Sequence, residues 1–438
     1  MPGHKGRGGL GIEQFDITEI GGADSLYEAN GIIAESEQNA SRLFGCPTFY
    51  STEGSSQCIR AMVYLVCANR FTKYRKPRIL AGRNAHKTFI TAAALLDCSI
   101  EWLCPEDGES YLSCTADPAK LNEILIEEEN RILESGKFIS SNHPCFDAVY
   151  ITSPDYLGNV SDIKGLARVC REHNVPLLVD NAHGAYLKFL PESKHPIDLG
   201  ADMCCDSAHK TLPVLTGGAY LHISPQALYP YERQAKNALA MFGSTSPSYL
   251  ILQSLDLANP QLMNCSSTIK ELAERVAEAK ECFRSVGFGL CGNEPLKITV
   301  CPKPTGNTGY EFADYCESKG FICEYADADH TVFMFSQNSH PNDPMRLADS
   351  TALIPKKTPI KTSAPDFHLP KQVMTIRNAS LSMQETVPVE KSEGRILAVP
   401  TLGCPPAVPI AVCGEKIDRQ TIERFLYYGI TECTVVSR

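Results

Sequence analysis

Asp206-Ser207-Ala208-His209-Lys210-Thr211-Leu212-Pro213 is the most informative stretch of this chain. Thirty residues before Lys210, Val179-Asp180-Asn181-Ala182-His183-Gly184 closes an apolar run over residues 175–179. The first stretch follows a second apolar run, over 202–205. A carboxylate ending one buried strand, and a lysine in the loop after the next, stand where open α/β sheets bind their ligands. For any lysine taken alone, a solvated surface position is the ordinary reading. Here Ser207 and His209 flank the lysine and Asp180 ends a strand, and that reading weakens.

Working outward, the pattern alternates. Strands are expected over 78–81, 100–103, 148–152, 176–180, 202–205 and 219–223. Helices are expected over 31–44, 59–66, 88–96, 118–134, 163–173, 225–241 and 250–257. Short apolar strands between helices imply a mostly parallel sheet covered on both faces. Ile269, Leu272, Val276, Ala279 and Phe283 mark one face of a longer helix leading into a smaller C-terminal domain. Residues 340–375 carry many Pro, Lys, Asp and Ser and read as a long irregular loop. The chain closes with 394–400, a Pro-rich segment over 405–409 and a helix near 417–427. The domain division expected is an N-terminal arm or lid over 1–28, a large domain over 29–260 and a small domain over 261–438.

The chain has 438 residues, 43% hydrophobic and 21% charged, with a formal net charge of −10. This suits a globular protein and argues against non-specific nucleic-acid binding, since no basic patch dominates. Nineteen cysteines are scattered without a C-x-x-C pair or Cys/His zinc spacing, so no metal site is expected. They read as free thiols in a reducing cytoplasm. The start reads as no signal peptide, and no apolar run approaches the roughly 18 residues that span a bilayer.

The Asp180/Lys210 pair suits pyridoxal 5′-phosphate (PLP). A lysine can hold the aldehyde as a Schiff base, and a carboxylate can keep the pyridine nitrogen protonated. Three further elements fit. Gly54-Ser55-Ser56 opens a helix, where backbone amides and hydroxyls make a phosphate cradle, although serine is also an ordinary N-cap. His86 follows a strand and could stack on the ring, or simply begin a helix. His209 could bind phosphate or move a proton, and His183 could approach the ring or its O3′.

In this order the residues resemble the Orn/Lys/Arg decarboxylase family, which has the aspartate-aminotransferase-like fold (PLP fold type I). The resemblance rests on Met1-Pro2-Gly3-His4-Lys5-Gly6, Asp16-Ile17-Thr18-Glu19-Ile20, Asp24-Ser25-Leu26 and Arg83-Asn84-Ala85-His86-Lys87. It continues through the Asp180 and Lys210 stretches and Ser244-Thr245-Ser246-Pro247-Ser248-Tyr249. Arg377-Asn378-Ala379, Glu385-Thr386-Val387-Pro388-Val389-Glu390, Gly394-Arg395-Ile396 and Pro405-Pro406…Pro409…Gly414-Glu415 extend it to the C-terminal part. The family pattern departs at Glu53, usually Asn, and at Pro405-Pro406-Ala407-Val408-Pro409, usually Pro-Pro-Gly-Ile-Pro. A third departure is the start at the Pro-Gly-His-Lys motif, without the family's usual preceding helix; the resemblance is to the short form, without the response-regulator-like wing domain.

The resemblance implies a fold type I large domain with a smaller α+β C-terminal domain. Lys210 would bind the cofactor aldehyde, Asp180 would pair with the ring nitrogen and His86 would stack on the ring. Ser55, Ser56, Ser207 and His209 would hold the phosphate. Thr245 and Ser246 would reach the phosphate across a homodimer interface. Glu415, in the family's substrate-entrance segment, leads Glu53 and Asp24 as partner for a cationic side chain. Arg377 is a candidate for the substrate carboxylate, with a plain salt bridge as its alternative. The implied reaction is decarboxylation of arginine, lysine or ornithine. An aminotransferase or Cβ-lyase on the same fold is the alternative, and a cofactor-binding regulatory protein the non-enzyme one.

Overall fold

The computed structural model describes the chain except residues 1, 69–75, 106–109, 137–138, 140–143 and 400–405. Met1, Pro400 and Pro405, which the sequence motifs include, lie outside the described residues. The chain groups into two compact units, Met1–Leu80, Ala116–Ser153 and Asp162–Ile269 in one, and Ala81–Thr115, Pro154–Ser161 and Lys270–Arg438 in the other. The units are therefore not contiguous along the chain.

Seven strands, β1 (Thr48–Ser51), β2 (Arg78–Gly82), β3 (Ser99–Leu103), β4 (Ala148–Thr152), β5 (Leu177–Asp180), β6 (Met203–Asp206) and β7 (Ala219–Ile223), form a sheet ordered β1-β7-β6-β5-β4-β2-β3. β4, β5 and β6 pair in parallel, with Thr152 opposite Asp180 and Asp180 opposite Cys205. β7 runs antiparallel to both β6 and β1. The runs Leu-Leu-Val-Asp and Met-Cys-Cys-Asp are buried throughout, as strands covered on both faces must be. Helices α1 (Ile32–Phe44) and α2 (Gly54–Ala68) pack on this sheet, α2 against β6 and β7. Helices α3 (Lys87–Leu96), α4 (Pro118–Glu134) and α5 (Ile163–Glu172) form close to the expected positions. Asp117 and Asp162 cap the last two by accepting their first backbone amides.

The helix expected over 225–241 is shorter. A 3₁₀ turn, Tyr231–Gln234, leads into α7 (Ala235–Ala240), which follows α6 (Ala208–Thr211) in chain order. Pro230 biases the residue before it away from helical backbone, and the helix starts beyond it. α8 (Tyr249–Leu262) and α9 (Ser266–Ser285) follow, and the face marked by Ile269, Leu272, Val276, Ala279 and Phe283 is buried.

The C-terminal unit carries strands absent from the sequence expectation. β8 (Gly289–Cys291), β9 (Lys297–Cys301), β10 (Tyr325–Ala326) and β11 (Thr331–Met334) form an antiparallel sheet ordered β10-β11-β9-β8. α10 (Gly309–Ser318) opens on a capping box between Thr308 and Glu311. Within 340–375, expected to be wholly irregular, α11 (Asp343–Thr351) forms. Its Pro344 sits in the first turn, where proline lacks only an amide that had no partner, and Leu347, Ala348 and Thr351 are buried. α12 (Ile376–Leu381), β12 (Gln384–Pro388), α13 (Arg419–Tyr427) and β13 (Glu432–Val436) complete the unit, β12 pairing with β13. Val389, Leu397, Ile417, Phe425 and Val435 close its core. No helix of the described residues is long and apolar enough to cross a membrane.

Candidate active site

Asp180 is the last residue of β5 and is 2% exposed. The Tyr150 hydroxyl donates to its Oδ2 at 3.1 Å, and the Ala182 amide to its Oδ1 at 3.2 Å. Burial pushes its carboxyl up, against the Ala182 amide, the Tyr150 hydroxyl and the charge of Lys210, which lower it. These hydrogen-bonding donors are neutral. A buried carboxylate left with neutral donors is costly, and a cationic N–H at the carboxylate offsets that cost. A protonated pyridine nitrogen supplies such a group.

Lys210 lies in the single turn α6 after β6. Its Nζ is 2.7 Å from His183 Nε2. An ammonium there donates to Nε2, which leaves the imidazole proton on Nδ1. His183 thus stands beside the lysine amine, and is itself buried. His209 Nδ1 lies 3.0 Å from the Gly218 carbonyl, to which it donates, and this fixes the ring's orientation.

Two loops bring together the hydroxyls considered for a phosphate. Gly54 takes a left-handed φ of +70° and donates its amide to the Gly217 carbonyl at 2.7 Å. This turn opens α2 with Ser55 and Ser56 in its first turn, where helix amides point out of the helix end. The Ser207 hydroxyl donates to Ser55 Oγ at 2.8 Å, so both hydroxyls face one point. Buried carboxylate, adjacent lysine and helix-end hydroxyls together fit the donor set that PLP needs.

Sequence reasoning missed what supports these groups. Tyr150, on β4, reads as an ordinary core residue until strand pairing sets it diagonal to Asp180. Asn181 donates to Asp206 Oδ1 at 2.6 Å, and Asp206 Oδ2 lies 3.1 Å from both His195 Nε2 and His222 Nε2. Burial raises the Asp206 carboxyl, but the two histidines outweigh it and hold it well below the usual range. This closed network fixes the backbone just after Asp180.

The remaining candidates make other contacts. Thr245 and Ser246 are exposed, with the Ser246 amide on Ser244 Oγ. His86 caps α3, its Nδ1 accepting from the Thr88 amide at 3.2 Å. Among the described residues Arg377 forms no salt bridge; its Nη1 donates to the carbonyls of Ala94 and Leu95 at the end of α3. Asp24 caps α1, accepting amides from Asn30, Gly31, Ile33 and Ala34 as well as Ser25. Burial raises its carboxyl, but these amides outweigh it and bring it to about 2. Glu53 is exposed and accepts the Ser244 amide.

Glu415 is not available to a substrate. It is 1% exposed and paired to Arg83 Nη2 at 3.1 Å, with the Val412 amide on Oε2. Burial raises its carboxyl and Arg83 lowers it. Glu415→Gln should therefore act on folding: it leaves the 2%-exposed Arg83 charge without its counter-ion. Removing one member of a buried pair costs roughly 3 kcal/mol or more. Urea unfolding of the cofactor-free variant measures it, and a loss under about 1 kcal/mol, in the range of exposed pairs, would contradict the assignment.

The comparisons with known proteins agree with this geometry. The family model "Orn/Lys/Arg decarboxylase, major domain" matches residues 9–299, and the corresponding C-terminal domain matches 362–432. The chain is 28% identical over 457 residues to an arginine decarboxylase of Bacillus subtilis, covering 96% of this chain and 88% of the relative. It is 27% identical over 458 residues to an arginine decarboxylase of Halalkalibacterium halodurans, covering 96% and 88%. The fold matches that of the Francisella novicida lysine decarboxylase LdcF with a TM-score of 0.77 at 18% identity, over 100% of this chain and 78% of that one. The family match over most of the chain, on a fold type I scaffold, makes this protein a member of the Orn/Lys/Arg decarboxylase family of PLP-dependent decarboxylases.

Proposed function

We propose that this chain decarboxylates a basic amino acid, with arginine the first candidate, and that Lys210, Asp180, Ser55, Ser56, Ser207 and His209 are its cofactor-binding residues. The observation that carries the reading is the buried Asp180 carboxylate, bonded to neutral donors and standing at the strand end beside Lys210. When bound, PLP supplies an electron sink for the bond broken at the substrate Cα. Asp180 keeps the ring nitrogen protonated. Lys210 holds the cofactor and, once released, is an amine placed to carry a proton. His183, 2.7 Å from that amine, orients it and accepts its hydrogen bond. Ser55, Ser56 and Ser207 fix the phosphate.

Two relatives named arginine decarboxylases support the substrate class. Of the three carboxylates considered for the substrate's cation, Glu415 is committed to Arg83 and Asp24 to α1, so Glu53 retains the role. Purified protein with PLP, offered arginine, lysine, ornithine and neutral amino acids, tests the reading. Release of CO₂ with the matching amine is expected from one basic substrate. A keto acid product, or no preference for basic substrates, would refute it.

We place Thr245 and Ser246 at the phosphate of a second subunit in a homodimer, which agrees with their exposure. Sedimentation alongside activity should show turnover following the dimer as the protein is diluted. A fully active monomer would end this assignment.

A further inference from the structure

The expectation that the cysteines hold no metal rested on spacing along the chain, and the C-terminal sheet overrides it. Cys291 ends β8, Cys301 ends β9 and His330 directly precedes β11. Cys291 is paired with Thr299, two residues before Cys301, so both thiols lie on one face of the sheet. Thr331 pairs with Val300, and continuing that register sets His330 beside Cys301 on the same face. The two sulfurs and one imidazole nitrogen all lie within 4.8 Å of one another. We propose that Cys291, Cys301 and His330 form a zinc site whose fourth position opens into the adjoining cavity.

Four observations support it. First, Zn–S and Zn–N bonds of about 2.3 and 2.0–2.1 Å put tetrahedral ligands roughly 3.5 Å apart, so the three side chains need only small rotations to close on an ion. Second, His330 is already oriented: its Nδ1 lies 3.3 Å from Asp327 Oδ1, which leaves Nε2 for the metal. A carboxylate behind the ligating imidazole is the usual support of a zinc histidine. Asp327 is itself 1% exposed and fixed by the Asp329 and His330 amides and the Tyr325 hydroxyl. Third, Cys291, Cys301 and His330 line a cavity of about 460 Å³ together with Ser113, Asn159 and Tyr428, which gives an ion an entry path and room for a water ligand. Fourth, Lys303, which lines the same cavity, is neutralised by Asp329 at 2.5 Å and bonded to the Tyr427 hydroxyl at 2.6 Å.

A disulfide fits the same pair less well. Diagonal neighbours in an antiparallel ladder stand about 7–8 Å apart at Cα, whereas disulfides usually span about 4.4–6.8 Å. Two thiolates and an imidazole favour zinc over the hard cations, which prefer oxygen. Binding releases the thiol protons to solvent, so affinity rises with pH.

The test uses the full-length, PLP-loaded, reduced protein. It should retain one equivalent of Zn²⁺ through gel filtration beyond any metal kept by the Cys291→Ser/Cys301→Ser variant. The cobalt form should show thiolate-to-metal charge-transfer absorption that added Zn²⁺ removes. The double variant should lose that absorption, and Asp327→Asn should weaken Zn²⁺ binding about 10–100-fold. Cys323→Ser, outside the cluster, should change neither. If the double variant does not fold, wild-type protein still decides: Zn²⁺ should protect Cys291 and Cys301 from alkylation, read by peptide mapping. The same cobalt spectrum in the double variant, no protection, or a Cys291–Cys301 disulfide in place of bound metal would overturn the proposal.

Discussion

Lys210→Ala is expected to abolish turnover, with a loss on the order of 10⁴-fold or more, the scale seen when the residue that carries covalent catalysis is removed. The variant should also lose the visible absorption of lysine-bound PLP. The expectation follows from placement. α6 holds Lys210 in a single turn directly after β6, and Asp180 ends the neighbouring parallel strand. The strand pairing that builds the sheet therefore sets the spacing of amine and carboxylate. Lys210 Nζ lies 2.7 Å from His183 Nε2. Borohydride reduction followed by peptide mapping should label Lys210. A label on another lysine, or an active alanine variant, would defeat the assignment. Folding should be little affected, because the backbone bonds of α6, from Lys210 to Ser207 and from Leu212 to Ala208, do not use the side chain.

The parts of this site that could be read from sequence are those with local signatures. Buried parallel strands are continuous apolar runs, so 148–152 and 219–223 form where they were expected. Lys210 and Asp180 stood out because their flanking residues were unusual for a surface loop. The helix start at Gly54, with Ser55 and Ser56 in its first turn, follows from a glycine and two serines in a row. What could not be read depends on pairing across the chain. Glu415 meets Arg83 from 332 residues away, and nothing near either residue signals that it is buried. Asp24 caps a helix that starts eight residues later, because its own left-handed φ of +63° folds the chain back over the amides. Short-range cap rules look one to three positions ahead and miss it. Tyr150 and the Asp206–His195–His222 network appear only once strand order is known. The cluster of Cys291, Cys301 and His330 has the same origin, since strand register, rather than a C-x-x-C spacing, brings the side chains together.

Asp180→Asn separates the catalytic use of a carboxylate from its cost to folding, and the two should move in opposite directions. Activity should fall about 10²–10³-fold, the scale of losing one pre-oriented electrostatic partner of the reacting system. PLP should remain bound through Lys210 and the serine hydroxyls. Stability of the cofactor-free protein should change the other way. Burial raises the Asp180 pKa in the folded state, so the ionised group opposes folding. The sign follows from linkage: the unfolded chain releases this proton near pH 4, the folded chain only at higher pH. The destabilisation is therefore absent below the unfolded pKa and grows as pH rises towards the folded one. Asparagine removes it and keeps both hydrogen bonds, its Oδ1 accepting the Ala182 amide and its Nδ2 donating to the Tyr150 hydroxyl. Cofactor-free Asp180→Asn should thus melt above the wild type at neutral pH, and the gap should narrow as pH is lowered towards 4. The holoenzymes should show the reverse or no gap, because the wild-type carboxylate then has a cationic partner. Scanning calorimetry of both proteins, with and without PLP, at neutral and acidic pH measures all four. Near-normal turnover in the variant would remove Asp180 from the reaction. A cofactor-free variant less stable than the wild type at neutral pH would show that the carboxylate is satisfied by its neutral donors alone.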